Sequence, residues 1–394
     1  MLTLTYEYKL KPTQQQSQEI DHILTVCRKV WNYALRERKD WIASRKCSIN
    51  ACSLKSEYIM AADAPYPGYA AQCRSLTKAK QSNPELCSVN AQVLQQVLKT
   101  LDKAFKDRAK RGFGFPRFKP SHRMRSFVFP QLGKTPLGCG MVKLPSMGWV
   151  KIHQSRPYPD GFVVKQGRVV RRASGFYLML TFQSEVELPQ VSPFGHRVGV
   201  DVGLEYFLST SDGLQVGRPK FFVDLQRKLK LLQRRLKRMQ KGSANWRKAQ
   251  QHVARLHERI ANARKDFHFK VAHQLCDAGD TVVVEDLNLI GLSRGILGKH
   301  MLDAGHGQFL HQILPWVCLK RGKALLEVKA AGTSQECPDC GQAVSKSLSE
   351  RWHHCSCGSS MPRDVASGIV IRNRAVGRTV QQNACGDGLA GMVA

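Results

Sequence analysis

A chain of 394 residues carrying 61 Lys and Arg against 30 Asp and Glu, a formal charge of +31, predicts two or three domains and a polyanionic partner, because so large an excess repels itself unless neutralised. A hydrophobic content of 42% supplies real cores, which excludes wholesale disorder. No apolar run approaches the roughly 20 residues of a membrane helix, and the N-terminus MLTLTYEYKLKPT has no apolar signal core, so an intracellular protein bound to nucleic acid is expected.

Residues 2–10, LTLTYEYKL, alternate as a strand does. After Pro12 and Thr13, a helix is expected from Gln14 to about Ala43, on Ile20, Leu24, Cys27, Trp31, Ala34 and Leu35. A second is expected from about Ser88 to Ala109, on Val89, Leu94, Val97, Leu98, Leu101 and Phe105. The segment 111–130, RGFGFPRFKPSHRMRSFVFP, interleaves Phe113, Phe115, Phe118 and Phe127 with Arg111, Arg117, Lys119, His122, Arg123 and Arg125. Rings stack on bases and cations take phosphates, so this composition suits nucleic acid; it equally suits a Pro/Gly loop whose rings enter a core. Between 141 and 187, MVKLP, VKIH, FVVK, RVVRR and FYLMLTF read as short antiparallel strands, a small barrel or sheet that strand 2–10 can join with the helices as an insert.

Beyond residue 196 strands and helices alternate in an α/β pattern. HRVGVDVGLEYFLSTSDG reads strand, turn, strand. Residues 225–241 read as a basic helix with Leu225, Leu229, Leu232, Leu236 and Met239 on one seam and Arg227, Lys228, Arg234, Arg235 and Arg238 among its bases, with no acid between. A second seam at Trp246, Val253, Leu256, Ile260 and Phe267 makes an antiparallel hairpin of the two. TVVVEDL at 281–287 is a buried-type strand; a helix at 306–321 and a strand at 324–330 follow, and a short Gly/Ala-rich end closes the chain at 384–394.

Of thirteen cysteines, nine are scattered, among them Cys47, Cys52, Cys276, Cys318 and Cys385. The other four form Cys337-Pro-Asp-Cys340, then Cys355-Ser-Cys357. Two close pairs with that gap suit tetrahedral Zn²⁺, with four protein ligands and hence a structural role. The second pair is one residue shorter than usual, which would strain its turn, and His353 and His354 stand nearby as substitute ligands. Asp201 lies in GVDVG, Glu285 ends TVVVE, and Asp364 opens a helix at 364–374. Taken singly these are a turn residue, a strand-end acid and a helix cap. Brought to one sheet edge they would repel, raise one another's pKa and call for a divalent cation, Mg²⁺, of the kind that activates water for phosphodiester cleavage.

The succession GVDVGL, VVVEDLNL, AGHGQF, GTSQECPDCG, CSCG and PRD, with YEYKLKPT and GFPRFK before it, resembles the TnpB (OrfB) family of transposon-associated RNA-guided nucleases, relatives of the compact type V CRISPR effectors, along nearly the whole chain. The resemblance implies an α/β RNase H-like RuvC nuclease domain at 191–394 with a zinc ribbon at 331–360 inside it. Ahead of it would lie a β-barrel wedge domain at 1–12 and 111–190, carrying a helical recognition insert at 13–110. It implies Asp201, Glu285 and Asp364 as the catalytic, Mg²⁺-binding acids and Cys337, Cys340, Cys355 and Cys357 as zinc ligands. It also implies a guide RNA from the mobile element's end, double-stranded target DNA cut beside a short flanking motif, a monomer, and a prokaryotic cytoplasm. A nuclease-inactive repressor, a compact type V CRISPR effector, a transposase that joins strands without a guide, and a junction resolvase are the rival readings. Where the family often has Asp-x-Asn-Ala after the third acid, this chain has Asp364-Val365-Ala366-Ser367, a departure that removes no carboxylate.

Overall fold

The computed structural model describes residues 2–46, 63–121, 123–186, 191–347 and 349–376. Cys47, Cys52, His122, Cys385 and the 384–394 end lie outside the described residues. The chain divides into two compact units, Met1–Leu188 and Pro189–Ala394.

The first unit is a seven-stranded antiparallel sheet interrupted by helices. Strand β1 (Leu2–Lys11) leads into α1 (Gln14–Ser44), α2 (Tyr69–Ser82), α3 (Pro84–Cys87) and α4 (Ala91–Arg111). Strands β2 (Ser126–Phe129), β3 (Leu137–Gly138), β4 (Met141–Leu144), β5 (Gly148–His153), β6 (Val163–Arg172) and β7 (Gly175–Ser184) then complete the sheet in the order β2-β6-β7-β1-β5-β4-β3. β1 pairs with β7 along residues 2–9 and with β5 only at 9–11, so the sheet curls about it. FVVK and RVVRR are one strand, not two: a register shift between Val164 and Gln166 absorbs the break in alternation. Thr13 starts α1 with a capping box, accepting from the Gln16 N–H at 3.2 Å while the Gln16 amide oxygen accepts from the Thr13 N–H at 3.1 Å. α1 and α4 bury the apolar stripes expected of them, including Ile20, Leu24, Trp31, Leu94, Leu98 and Leu101. Arg38, fully buried among these helices, is held at 3.1 Å by Asp102 and at 3.0 Å by the Gln72 side-chain oxygen.

The second unit is a five-stranded mixed sheet. β8 (Arg197–Val202), β9 (Tyr206–Thr210) and β10 (Gln215–Gly217) form an antiparallel meander, and α5 (Gln226–Lys237) and α6 (Ala244–Ala278) form a helical hairpin. β11 (Thr281–Asp286) follows, then the short helices α7 (Leu289–Arg294), α8 (Gly298–Ala304) and α9 (His306–Gln308). A π-helical turn at Phe309–Ile313 joins α9 to α10 (Leu314–Lys320). The wide turn lies just ahead of Pro315, which has no N–H to continue an α-helical ladder. β12 (Ala324–Lys329), the hairpin β13 (Trp352–His354) and β14 (Ser360–Pro362), and α11 (Arg363–Ala375) complete the unit. The sheet order is β10-β9-β8-β11-β12, with β8, β11 and β12 parallel. Val198, Val200, Val282 and Val284 face a core built with α6, the π-turn and α10, while α11 packs against β8 and β11. Period-two alternation therefore gives Gly199, Asp201, Val283 and Glu285 to the α11 side. Among the described residues no helix is long and apolar enough to cross a membrane.

Candidate active site and metal centre

The register of β8 and β11 pairs Val200 with Val284, so Asp201 and Glu285, one residue further along each parallel strand, end up side by side. The third acid comes from α11, where Asp364 sits in the first turn. What brings that turn to the strands is a pair of glycines. A Cβ at Gly199 would run into the Gly368 carbonyl oxygen and lie 2.7 Å from the Arg372 backbone nitrogen; one at Gly368 would lie 2.8 Å from the Ser211 nitrogen. Asp201 lies about 6–7 Å beyond Gly199 along its strand, and Asp364 four residues, about 6 Å, before Gly368. The glycine contact thus sets the spacing of the two acids. In the sequence Gly199 is part of a turn motif; its partner is 169 positions away, and no local pattern announces it. Gly199→Ala is expected to cost about 1–3 kcal/mol through overpacking, read as a lowered melting temperature, and to reduce activity at this site by more than the lost folded fraction accounts for.

Asp201 lies near enough to Glu285 and Asp364 to feel both charges. Burial pushes Asp201 well above the usual carboxylate range, and the negative charges of Glu285 and Asp364 push it further, against a smaller opposing pull from Arg363. Burial also raises Glu285, opposed by a hydrogen bond from Thr333 and by the Arg374 charge. Asp364 is raised by burial and by Glu205, opposed by Arg351 and Arg363; Arg351 and Glu205 themselves pair at 3.0 Å. A donor set of three hard oxygen ligands, unfavourable to ionise together, is one that a divalent cation would relieve.

Cys337, Cys340, Cys355 and Cys357 place their sulfurs within 4.8 Å of one another. The Cys337–Cys357 and Cys340–Cys355 separations are 3.7 Å and 3.5 Å. Tetrahedral thiolates about 2.3 Å from Zn²⁺ stand about 3.8 Å apart, so the cluster has the dimensions of a zinc site. The short second pair closes as well as the first: Gly341 donates to the Cys337 carbonyl and Gly358 to the Cys355 carbonyl, both at 3.0 Å, and both glycines are left-handed (φ +74° and +94°). Neither His353 nor His354 joins the group; His353 is buried and His354 Nδ1 bonds Ser360.

The basic residues divide. Arg227, Lys228, Arg234, Arg235 and Arg238 are exposed on α5 and its C-terminal cap, while the seam beneath packs Leu225, Leu229 and Leu232 on Val253, Leu256 and Ile260. No acid pairs with those five cations among the described residues. In the 111–130 segment Arg111, Arg117, Arg123 and Arg125 are exposed, but Lys119 turns inward, its ammonium 3.6 Å from the centre of the Trp31 ring. The phenylalanines divide too. Phe127 and Phe129 are buried in β2, Phe115 and Phe118 lie under the Lys39 ammonium at 5.3 Å and 4.6 Å, and Phe113 is exposed.

Residues 180–294 match the family OrfB_IS605, described as "Probable transposase". Residues 306–371 match "Cas12f1-like, TNB domain". Residues 1–47 match a "Helix-turn-helix domain" of OrfB_IS605, although the described part of that stretch forms strand β1 and the single helix α1. A protein of Escherichia coli (strain K12) named "Putative RNA-guided DNA endonuclease InsQ" is 31% identical over 368 residues, covering 89% of this chain and 86% of that protein. A Streptomyces pristinaespiralis protein named "Putative RNA-guided DNA endonuclease" is 28% identical over 391 residues, covering 98% of this chain and 91% of that protein. Among solved structures, a "Cas12f1-sgRNA-target DNA complex" shares the fold with a TM-score of 0.55 at 14% identity, over 91% of this chain and 83% of that one. With such identity to the first relative across most of both sequences, this chain belongs to the TnpB (OrfB) family.

Proposed function

We propose that this chain is an RNA-guided endonuclease that cuts double-stranded DNA beside a short flanking motif by magnesium-dependent phosphodiester hydrolysis. The observation that carries the reading is the convergence of Asp201, Glu285 and Asp364 on the α11 side of the sheet. The order β10-β9-β8-β11-β12 supports an RNase H-like RuvC domain over 191–394, with the cysteine cluster as a zinc ribbon at 331–360. The curled sheet of β1–β7 and its helical interruption support a barrel-like wedge domain at 1–12 and 111–190 with a recognition insert at 13–110. The names of the relatives support a guide RNA; its origin at the mobile element's end, a single working copy and a prokaryotic cytoplasm are part of the proposal.

Base pairing between guide and target supplies sequence specificity in effectors of this kind, and the protein holds backbones. Asp201, Glu285 and Asp364 would hold Mg²⁺ by their carboxylate oxygens. Bound there, Mg²⁺ supplies a water acidified toward hydroxide and charge stabilisation at the leaving oxygen. The chain's own contribution is placement. The parallel register fixes two acids, the glycine contact fixes the third, and Arg363, beside Asp201 and Asp364, limits the charge they accumulate. The retention of all three acids argues against a nuclease-inactive repressor.

Replacing Arg227, Arg234 and Arg235 together with Gln tests the electrostatic part. Single-strand affinity falls with salt with a slope of about −0.7 for each phosphate neutralised, so RNA binding should lose about two units of log–log slope. The Mg²⁺ requirement of cleavage should not change. An unaltered slope would remove the hairpin from the RNA-binding surface.

A further inference from the structure

Neither the three acids nor the cysteines account for the loop between β12 and Cys337. Thr333, buried in that loop, donates its hydroxyl to Glu285 Oε1. The same hydroxyl oxygen lies 3.0 Å from the Ala330 carbonyl oxygen, so the loop that carries Thr333 is folded against its own backbone. Among the described residues no hydrogen bond reaches Glu285 Oε2. The loop is gripped from α11. Arg374 Nη1 donates at 2.8 Å to both the Lys329 and Ala331 carbonyl oxygens, and Nη2 donates at 2.7 Å to Glu336. Four residues after Thr333 comes Cys337, a corner of the cysteine cluster.

We propose that Thr333 is a positioning residue for Glu285 and that Arg374 clamps the loop that carries it, an inference that rests on the endonuclease reading above. A glutamate has three side-chain torsions and two equivalent oxygens. A fixed donor on Oε1 selects one orientation and leaves Oε2 to face a cation with Asp201. Hydrogen bonds to ligating carboxylates commonly act this way, and losing one typically costs about 10–100-fold in metal affinity or activity. Arg374 belongs to the same helix as Asp364, so one element presents the third acid and steadies the support of the second.

The test uses Thr333→Val, which keeps the shape and removes the hydroxyl, and Thr333→Ser, which keeps the hydroxyl. Mn²⁺ binding is measured by electron paramagnetic resonance on the zinc-loaded protein, with single-turnover cleavage beside it. T333V is expected to weaken Mn²⁺ binding and slow cleavage by about 10–100-fold. T333S is expected to stay within about threefold of the parent. In a Glu285→Gln background T333V should add no further loss of Mn²⁺ affinity, because coupled residues are not additive; a merely structural lesion would lower both backgrounds alike. Parental Mn²⁺ affinity and cleavage in T333V would overturn the proposal, as would equal damage from T333V and T333S, or full additivity with E285Q. Asp201→Asn, assayed alongside, separates the two ideas. If D201N cleaves like the parent, the endonuclease reading falls. If D201N is dead while T333V matches the parent, only the role of Thr333 falls.

Discussion

Asp201→Asn is expected to abolish cleavage while making the metal-free protein more stable. On the proposed reading Asp201 is a buried ligand of an ion that would supply several kcal/mol to the transition state, so its loss should slow the reaction by at least about 1000-fold at 1.36 kcal/mol per decade. RNA binding, assigned in the proposal to the basic surfaces, should persist. The gain in stability follows from the sign of the pKa shift. Asp201 is raised in the folded protein, so the folded state favours its protonated form. That advantage is complete below the ordinary carboxylate range and is lost as pH rises through the elevated folded value. Glu285 and Asp364 are shifted the same way. Without metal, therefore, the melting temperature should fall as pH is raised from the ordinary carboxylate range toward neutrality, and added Mg²⁺ should restore most at the high end. D201N removes the largest contributor and should flatten the profile, raising the neutral-pH melting temperature by about 2–4 °C per kcal/mol recovered. Differential scanning calorimetry with and without Mg²⁺ reads both effects. A variant no more stable than the parent at neutral pH would mean that the three charges do not oppose one another as the geometry requires.

Removing zinc, or substituting Cys337→Ser, is the second large effect. Binding of a structural zinc is folding free energy, on the order of 10 kcal/mol or more, in modules that cannot fold without it. Among its described residues the segment from Cys337 to Pro362 has a two-stranded hairpin of short strands and few buried apolar side chains, so little else there holds it. Hydrogen exchange is expected to show it open, with the Met1–Leu188 unit unchanged. Cleavage should fall as well, although no acid is altered, because Thr333 and the Arg374-held loop lead directly into Cys337. Readdition of zinc should close the segment in the chelated parent and not in the Cys337→Ser protein. Full protection of residues 337–362 after chelation would refute a structural metal.

Much of this was legible from residue order, and the parts that were not share a physical cause. An acid at the end of an apolar strand, as in TVVVE, is visible because alternation and length describe β11 locally, and the cysteine spacing declares a four-sulfur cluster for the same reason. The seam of Leu225, Leu229 and Leu232 against Val253, Leu256 and Ile260 is likewise written at helical spacing. The aromatic stretch 111–130 was ambiguous because composition says nothing of direction: β2 buries Phe127 and Phe129, while Phe113 faces solvent and Lys119 folds onto Trp31. Gly199 with Gly368, Thr333 with Glu285, and Arg374 with the Lys329 and Ala331 carbonyls were not legible at all. Each is a contact between distant segments whose members look ordinary in their own neighbourhoods. On the proposed reading they are also what would turn three separate acids into one site.

The central claim, guided hydrolysis at the three-acid site, is tested most directly by purifying the protein with its RNA, sequencing that RNA, and offering plasmids that do or do not carry the complement of its variable segment. The account predicts one defined RNA species and Mg²⁺-dependent double-strand cleavage of the complementary plasmid only, absent with D201N. Random RNA fragments, cleavage indifferent to the complement, or cleavage undiminished in D201N would contradict it.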